Sequence, residues 1–262
     1  MAEKEIKEKG MKERLEKIKE YIDKSGKVSF HELEKEFAGV SSMTLRRDLE
    51  RLEANNAILR IPSGAISVDS VLKAKDADFA ERIIFNTAEK LEIADKTVKL
   101  VEPGSCVFID GGSTTTYFAR ALPDENFYVL TNALNIAETV LRKNKPTVAL
   151  LGGDVKKNNF ITVGKSCLDF INQLYIQTAV MTATGFIKAT GAFTCGSQSE
   201  ADVKREVIKK ANHVIMLLDS SKVNKSTPYT FATIEDVHDL VTDKNFPKEL
   251  KVAIESKNVR VH

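Results

Sequence analysis

Apolar runs and helical segments alternate through the second two thirds of the chain, and this alternation constrains the fold more than any other feature. From Ile83 onwards, short apolar runs such as CVFID, FYVLT, TAVMTATG and HVIMLLDSS are separated by segments with helical spacing, such as SEADVKREVIKKAN. Strands joined through helices form βαβ units, whose parallel sheet is covered on both faces. We therefore predict an α/β domain with a mostly parallel sheet over residues 83–262.

The N-terminal part has a different pattern, with three short helical segments followed by a hairpin. Leu15, Ile18 and Ile22 lie at helical spacing, and the segments VSFHELEKEF and SSMTLRRDLERL follow. AILRIPSGAISV then reads as two short strands around a Pro-Ser-Gly turn. This order predicts a winged helix-turn-helix domain over residues 1–66, and the charged, weakly patterned residues 67–82 predict a linker.

Composition excludes several classes of protein. Cys106, Cys167 and Cys195 are scattered and the four histidines form no cluster, so we expect reduced thiols and no metal site. No apolar run approaches the ~18 residues that a membrane helix needs, and the charged start does not fit a signal peptide. We therefore expect a cytoplasmic protein with no membrane partner and no cofactor.

The third helical segment has an apolar face and a basic one. Leu45, Leu49 and Leu52 share the core side. Arg47 and Arg51 lie four residues apart with like charge, which destabilises an isolated helix by about 0.2–0.5 kcal/mol and suits a helix that faces a polyanion. A solvated helix is the alternative, since residues 1–65 carry 14 basic and 13 acidic side chains. The predicted DNA contacts are Ser42, Thr44, Arg46, Arg47 and Arg51, with Arg60 and Ser63 in the wing.

The segment VSFHELEKEFAGVSSMTLRRDLERLEANNAILR resembles the DNA-binding domain of the DeoR family of bacterial transcriptional regulators. The recognition helix of that family follows the pattern Val-Ser-x-x-Thr-Ile-Arg-Arg-Asp-Leu, which residues 40–49 match with Leu45 in place of Ile. The wing departs from the family, because RIPSGA stands where Arg-x-His-Gly-Gly-Ala is usual. The resemblance implies that double-stranded operator DNA is a partner.

The stretch FIDGGSTTTYFARAL joins a strand to a helix through a glycine turn. The first N–H groups of a helix lack partners within the helix and lie at its positive dipole end, so a turn of this kind can hold an anion such as phosphate. The chain has neither the Gly-Lys-[Ser/Thr] of a P-loop nor a dinucleotide fingerprint. An ordinary strand–helix turn with a serine cap is the alternative.

Other predicted strands also end in glycine or small polar residues. Ligands of open α/β sheets bind outside the carboxyl ends of the strands. Asp110 would repel a phosphate, so we assign it either to sugar hydroxyls or to holding its own turn. The predicted effector contacts are Asp110, Gly111, Gly112, Ser113, Thr114, Thr115, Thr131, Asn132, Gly152, Gly153, Thr184 and Asp219, with Lys204 and Lys222 as countercharges.

Residues 83–243 resemble the sensor domain of the DeoR family, which is related to ribose-5-phosphate isomerase. Matching pieces include FIDGGSTTT, VLTNALNIA, LLGGDV, SEADVKREVI and LLDSSK. Thr182-Ala183-Thr184-Gly185 departs from the Gly-Ala-Asp-Gly or Gly-Ala-Asn-Gly that the family often has. Asn224 replaces a frequent glycine, and asparagine tolerates the left-handed conformation that such a glycine would adopt.

Two functions of different classes are compatible with these observations. The first is a transcriptional repressor of sugar-metabolism genes, controlled by a phosphorylated sugar or related metabolite. Because one helix-turn-helix reads only a few base pairs, we expect a homodimer or a higher even oligomer. The alternative is a sugar-phosphate isomerase or deaminase, for which Asp110, Glu200, Lys204 and Asp219 are the candidate groups. They form no recognisable catalytic constellation, so we expect no enzyme.

Overall fold

The computed structural model describes residues 2–54, 57–61, 64–67 and 78–262. The chain divides into two compact units, Met1–Phe85 and Asn86–His262. Residues 68–77 of the predicted linker, and Ser63 of the predicted wing contact, lie outside the described residues. None of the helices in the described ranges is both long and apolar enough to cross a membrane.

The first unit is a winged helix-turn-helix domain, as predicted. It contains three helices and a small antiparallel sheet, whose first strand lies between the first two helices in sequence and whose third strand is central in the sheet. A further helix follows the sheet. The elements are α1 (Ala2–Ser25), β1 (Lys27–Ser29), α2 (Phe30–Glu36), α3 (Ser42–Ala54), β2 (Ile58–Ile61), β3 (Gly64–Ser67) and α4 (Asp78–Ile84).

Side-chain caps determine where α2 and α3 begin. The backbone N–H of Glu32 donates to the Ser29 hydroxyl at 3.2 Å, and the Glu32 carboxylate accepts from the Ser29 N–H at 2.7 Å, so a capping box starts α2. At the start of α3, the Thr44 N–H donates to the Ser41 hydroxyl at 3.2 Å. Leu45, Leu49 and Leu52 of α3 are buried in the core of the unit, as their spacing predicts.

One carboxylate lies inside this apolar core. Asp48 is fully buried, and its two oxygens accept hydrogen bonds from the Arg14 guanidinium at 2.6 and 3.2 Å. This paired geometry is the strong form of an arginine–carboxylate contact, and it joins α1 to α3. Asp48 therefore belongs to the interior rather than to the solvent face of α3, where its charge would have opposed the neighbouring arginines.

We expect Arg14→Gln to lower the free energy of unfolding of the first unit by about 1–3 kcal/mol, because Asp48 would stay buried and lose charge-assisted hydrogen bonds. Urea unfolding followed by circular dichroism measures the change. Lys17→Gln, at an exposed position of the same helix, is the matched control, with an expected change within about 0.5 kcal/mol. Equal effects of the two substitutions would contradict the structural role of the pair.

The second unit contains a seven-stranded sheet whose neighbouring strands are all parallel, in the order β15-β14-β12-β9-β4-β5-β6. The predicted α/β architecture is thereby confirmed. The strands of this sheet are β4 (Cys106–Ile109), β5 (Tyr128–Thr131), β6 (Thr147–Leu150), β9 (Ile176–Thr182), β12 (Ala211–Leu217), β14 (Asp239–Val241) and β15 (Arg260–Val261).

Helices cover both faces of this sheet. Val107, Phe108 and Ile109 point alternately to opposite faces and are all fully buried, which requires cover on each side. Helices α5, α6 and α7 pack successively against one another, and α8 packs against α9. The helices are α5 (Thr87–Val98), α6 (Ser113–Ala121), α7 (Leu134–Leu141), α8 (Lys165–Ile171), α9 (Gln198–Lys210) and α10 (Lys248–Glu255).

Two smaller antiparallel sheets complete the unit. One is a hairpin, and the other has three strands with β11 at its centre. The hairpin strands are β7 (Asp154–Lys156) and β8 (Ile161–Val163), and the three-stranded sheet is formed by β10 (Gly185–Ile187), β11 (Ala192–Cys195) and β13 (Tyr229–Thr233).

Candidate functional site

The solvent side of α3 presents a stripe formed by Met43, Arg46, Arg47 and Glu50, which are all exposed. This spacing of three and four residues places the four side chains on one face, opposite the buried leucines. The Arg46 guanidinium lies 4.4 Å from the centre of the Phe30 ring. This cation–π contact restrains Arg46, which remains exposed to solvent. We call these four residues the exposed stripe of α3.

The other predicted DNA contacts that the structure describes, Ser42, Thr44, Arg51 and Arg60, each interact with a residue of the same domain. The Arg51 guanidinium lies 3.8 Å from the Asp48 carboxylate, and Arg60 pairs with Glu50 at 3.2 Å. The Ser42 hydroxyl donates to Glu34, and the hydroxyls of Thr44 and Ser41 are 2.9 Å apart. Among the described residues, Arg47 has no ion-pair partner, so its guanidinium is available to an external anion.

The parallel sheet brings the predicted effector contacts to one edge of the second unit. β12, β9, β4, β5 and β6 are consecutive neighbours, so their carboxyl ends lie side by side. The polar residues that end or follow these strands therefore line a common boundary. We call this boundary the strand-end rim. It comprises Asp110–Thr115, Thr131, Asn132, Gly152, Gly153, Thr182–Thr184 and Asp219–Lys222, with Lys204 reaching it from α9.

Gly111 and Gly112 are required by close packing. A Cβ atom at residue 111 would overlap the Ile161 side chain, and one at residue 112 would overlap Thr182. Gly112 has extended backbone angles, with φ of −179°. The glycines therefore allow the start of α6 to approach β8 and β9. The local sequence indicates only a glycine turn here, because Ile161 and Thr182 are distant in the chain.

The amino end of α6 has no side-chain cap. The hydroxyls of Thr115 and Thr116 both turn back to the Gly112 carbonyl, at 3.0 and 2.7 Å. They therefore leave the first backbone N–H groups of the helix without a hydroxyl acceptor. Ser113 and Thr114 precede them and are almost fully buried. An uncapped amino end with a positive dipole end favours a negatively charged group.

Asp110 and Lys204 form an ion pair in the interior of the rim, and both side chains are at most 3% exposed. The Asp110 carboxylate also accepts from the Thr182 N–H at 3.0 Å, and the Lys204 ammonium donates to the Thr182 carbonyl at 3.0 Å. Glu200 lies 3.6 Å from the same ammonium. Burial opposes the charged form, but Asp110 and Glu200 outweigh it and raise the pKa of Lys204.

This cluster changes the chemical interpretation of two predicted contacts. The Lys204 ammonium is neutralised by Asp110 inside the protein, and the Asp110 carboxylate holds the end of β9 against β4. Burial, followed by the charge of Glu200, raises the pKa of Cys195 to about 12, so its thiol adds no charge. The charged groups of the cluster are thus two carboxylates and one ammonium. One of the carboxylates belongs to Glu200, which is not among the predicted effector contacts.

Other strand-end residues divide into structural contacts and available groups. The Thr131 hydroxyl donates to the Ile109 carbonyl at 2.7 Å, which joins two strand ends. Asn132 donates to the Thr162 carbonyl at 2.9 Å, but its buried side-chain oxygen has no partner among the described residues. The Asp219 carboxylate accepts from the Ser221 N–H at 3.1 Å. Asn224 has φ of 59°, the left-handed conformation expected for it.

Two asparagines near the rim had no recognisable signal in the sequence. The Asn159 amide lies 3.3 Å from the Glu200 carboxylate, so the β7–β8 hairpin reaches the start of α9. Asn135 donates to the Thr116 hydroxyl at 2.8 Å, and its buried oxygen has no partner among the described residues. Both contacts join segments far apart in the chain, and local patterning carries no information about such pairs.

A cavity with a volume of about 870 Å³ lies elsewhere, near the amino ends of β12 and β14. His213, His238 and Arg260 line it. Arg260 binds the buried Asp239 carboxylate at 2.7 and 2.8 Å. None of the predicted effector contacts lines this cavity. Ligands of open α/β sheets bind at the opposite ends of the strands, so the strand-end rim is the candidate effector site.

The fold defines a protein with a winged helix-turn-helix domain followed by an α/β domain. Residues 14–71 match the DeoR-like helix-turn-helix domain, and residues 85–244 match the DeoR C terminal sensor domain. The chain therefore belongs to the DeoR family of transcriptional regulators, which confirms the resemblance seen in its sequence.

Full-length relatives agree with this assignment. The chain is 30% identical to the HTH-type transcriptional regulator IolR of Bacillus subtilis, over 95% of this chain and 98% of that protein. It is also 30% identical to the glycerol-3-phosphate regulon repressor of Escherichia coli, over 93% of this chain and 95% of that protein. Ribose 5-phosphate isomerase A of Methanocaldococcus jannaschii is a distant structural neighbour, with a TM-score of 0.40 and 19% identity over 53% of this chain and 55% of that one.

We expect Lys204→Met to lower the free energy of unfolding of the second unit by about 3–5 kcal/mol, because it leaves two buried carboxylates without their countercharge. Thermal and urea unfolding measure the loss. Lys209→Met, at an exposed position of the same helix, is the matched control. Adding Asp110→Asn to Lys204→Met should recover part of the loss. Equal stability of the two single variants would contradict the proposed importance of this cluster.

Proposed function

We propose that the chain is a repressor of sugar-metabolism genes that binds double-stranded operator DNA through α3 and responds to a phosphorylated sugar at the strand-end rim. The observation that carries this proposal is that one chain combines a helix-turn-helix domain with an α/β domain in which an uncapped helix amino end lies at a polar rim. The similarity to a protein named as the glycerol-3-phosphate regulon repressor supports a phosphorylated effector.

The charge arrangement of α3 supports DNA as the partner. Arg46 and Arg47 are adjacent and exposed, and the nearest acidic residue of α3 in sequence, Asp48, is buried and bound by Arg14. The exposed stripe is therefore more basic at Arg46 and Arg47 than the nearly equal numbers of basic and acidic side chains in residues 1–65 indicate. Arginine at this end of a recognition helix can bind guanine edges or phosphates. Release of counterions should make binding weaken steeply with salt.

Arg47→Ala should abolish the mobility shift with operator DNA at physiological salt. At low salt, where residual binding is measurable, the salt slope should be lower by about one for each recognition helix, because one cation that faces the polyanion is lost. Thermal melting should match wild type, since Arg47 is exposed. Arg142→Ala removes an exposed arginine from the second unit and is the control. Retention of wild-type affinity by Arg47→Ala would exclude the assigned contact.

The rim supports a phosphorylated polyol. The uncapped amino end of α6 suits the phosphate, whereas the buried carboxylates beside it suit hydroxyl donors. Glycine and threonine line the remaining strand ends and leave little apolar surface. The ammonium of Lys204 is already neutralised, so backbone N–H groups are proposed as the main phosphate ligands. The orphan oxygen of Asn132 provides a further acceptor for a sugar hydroxyl.

The same contacts favour a binding role over catalysis. A sugar-phosphate isomerase needs a carboxylate that removes a proton next to the carbonyl carbon of its substrate. Asp110 instead accepts hydrogen bonds from Lys204 and from the Thr182 N–H, and it holds two strands together. Incubation with ribose 5-phosphate and glucosamine 6-phosphate tests the alternative. We expect no turnover, and sustained conversion of either compound would overturn the assignment as a regulator.

Thermal melting against phosphorylated sugars and their unphosphorylated parents tests the effector class. A ligand at 100 times its dissociation constant stabilises the native state by about 2.7 kcal/mol. We expect stabilisation by one phosphosugar and not by its parent. Thr114→Asp should remove that response by placing a negative charge at the start of α6. Thr147→Asp adds the same charge at the amino end of β6, away from the rim, and should keep the response. An unchanged response of Thr114→Asp would exclude the phosphate assignment.

Effector binding is proposed to change DNA affinity by shifting a population of conformations. A ligand shifts such an equilibrium only by the difference in its affinity for the two states. An even oligomer would present two recognition helices to two half-sites, and this pairing supplies the specificity that one helix lacks.

A further inference from the structure

Met43 is an exposed apolar residue on the DNA-reading helix. Its side chain is 71% exposed, although the leucines of the same helix are buried. It is the second residue of α3 and contributes nothing to the core of the unit. Other exposed apolar residues occur in this protein, but Met43 is the one that lies on the exposed stripe of α3, beside the arginines that are proposed to bind DNA.

The position of Met43 relative to the arginines defines those surroundings. Arg46 and Arg47 follow it by three and four residues, so the three side chains lie on one face within one turn. Phe30 restrains Arg46 through a contact of 4.4 Å to its ring centre. In helix-turn-helix proteins, the amino-terminal residues of the recognition helix contact base edges. Met43 lies nearer to the amino end of α3 than the two arginines, so it is placed to contact base edges when they bind DNA.

The chemistry of the major groove selects one partner for this side chain. A thioether has no hydrogen-bond donor, and the polar edges of guanine, cytosine and adenine would lose water against it without compensation. The C5-methyl group of thymine is the apolar group that the major groove presents. The unbranched, flexible side chain of methionine adapts readily to such a contact.

We infer that Met43 contacts a thymine methyl group in the operator and thereby specifies that base. The inference rests on the proposed DNA binding, and it adds a base-reading residue that the recognition pattern of the helix does not specify. It assigns a distinct role to each part of the exposed stripe. The arginines supply affinity for phosphate or guanine, and Met43 selects thymine at a neighbouring position.

Deoxyuridine substitution tests the inference directly, because deoxyuridine differs from thymidine only by the missing methyl group. Duplexes are first selected from a random pool with the full chain, and each thymine of a selected duplex is then replaced singly. We expect one position per half-site at which replacement weakens wild-type binding about four-fold, the effect of one buried methyl group. Met43→Ala should bind more weakly overall and be insensitive to replacement at that position.

Two further variants separate an apolar contact from a general effect of the substitution. Met43→Leu keeps an apolar side chain and should retain the sensitivity to deoxyuridine, whereas Met43→Gln has similar length and should lose it. Val252→Ala removes an exposed apolar residue of the second unit and should match wild type. Because Met43 is exposed, all of its variants should fold, and thermal melting verifies this.

The outcomes distinguish the inference from the function on which it rests. If wild type tolerates deoxyuridine at every position, or if Met43→Ala keeps the same sensitivity, the thymine contact is refuted while DNA binding stands. If the full chain selects no duplex from the pool, the DNA-binding proposal fails as well. A sensitive position that disappears in Met43→Ala and persists in Met43→Leu supports the inference.

Discussion

The buried ion pair between Asp110 and Lys204 is the interaction on which the strand-end rim depends. Asp110 follows β4, and its carboxylate accepts a hydrogen bond from the backbone of β9. The Lys204 ammonium donates a hydrogen bond to the same strand from α9. Three elements thus meet at charges that cannot be separated without leaving one of them unpaired in the interior. The first residue of α6, Ser113, lies three residues after Asp110, so the pair also positions the helix end proposed to hold the phosphate.

The DNA-reading domain uses a buried ion pair in a comparable way. Binding of Asp48 by Arg14 joins α1 to α3 and removes an acidic group from the surface next to Arg47. The same contact therefore stabilises the packing of α3 and leaves the exposed stripe more basic. In both units, charged side chains of types that usually lie at the surface are buried in an ion pair. The position of each pair determines the electrostatics of the nearby site.

Local patterns predicted the elements well because their causes are local. The helical spacing of Leu45, Leu49 and Leu52, for example, depends on residues a few positions apart. The alternating apolar runs predicted the parallel sheet. The parallel sheet in turn predicted that the polar strand ends meet at one edge. The partners of the charged side chains were not predictable. Lys204 and Asp110 are 94 residues apart, and no periodicity relates them.

The sequence by itself determined the two-domain organisation, the helix-turn-helix and α/β folds, and membership of the DeoR family, because apolar spacing and contiguous motifs express these features. Only the tertiary structure decided how individual side chains are used. It places Asp48 and Lys204 inside, leaves Met43 and Arg47 outside, and shows that Gly112 makes room for Thr182. Burial and ion pairing depend on neighbours brought together by folding, and a linear sequence does not specify those neighbours.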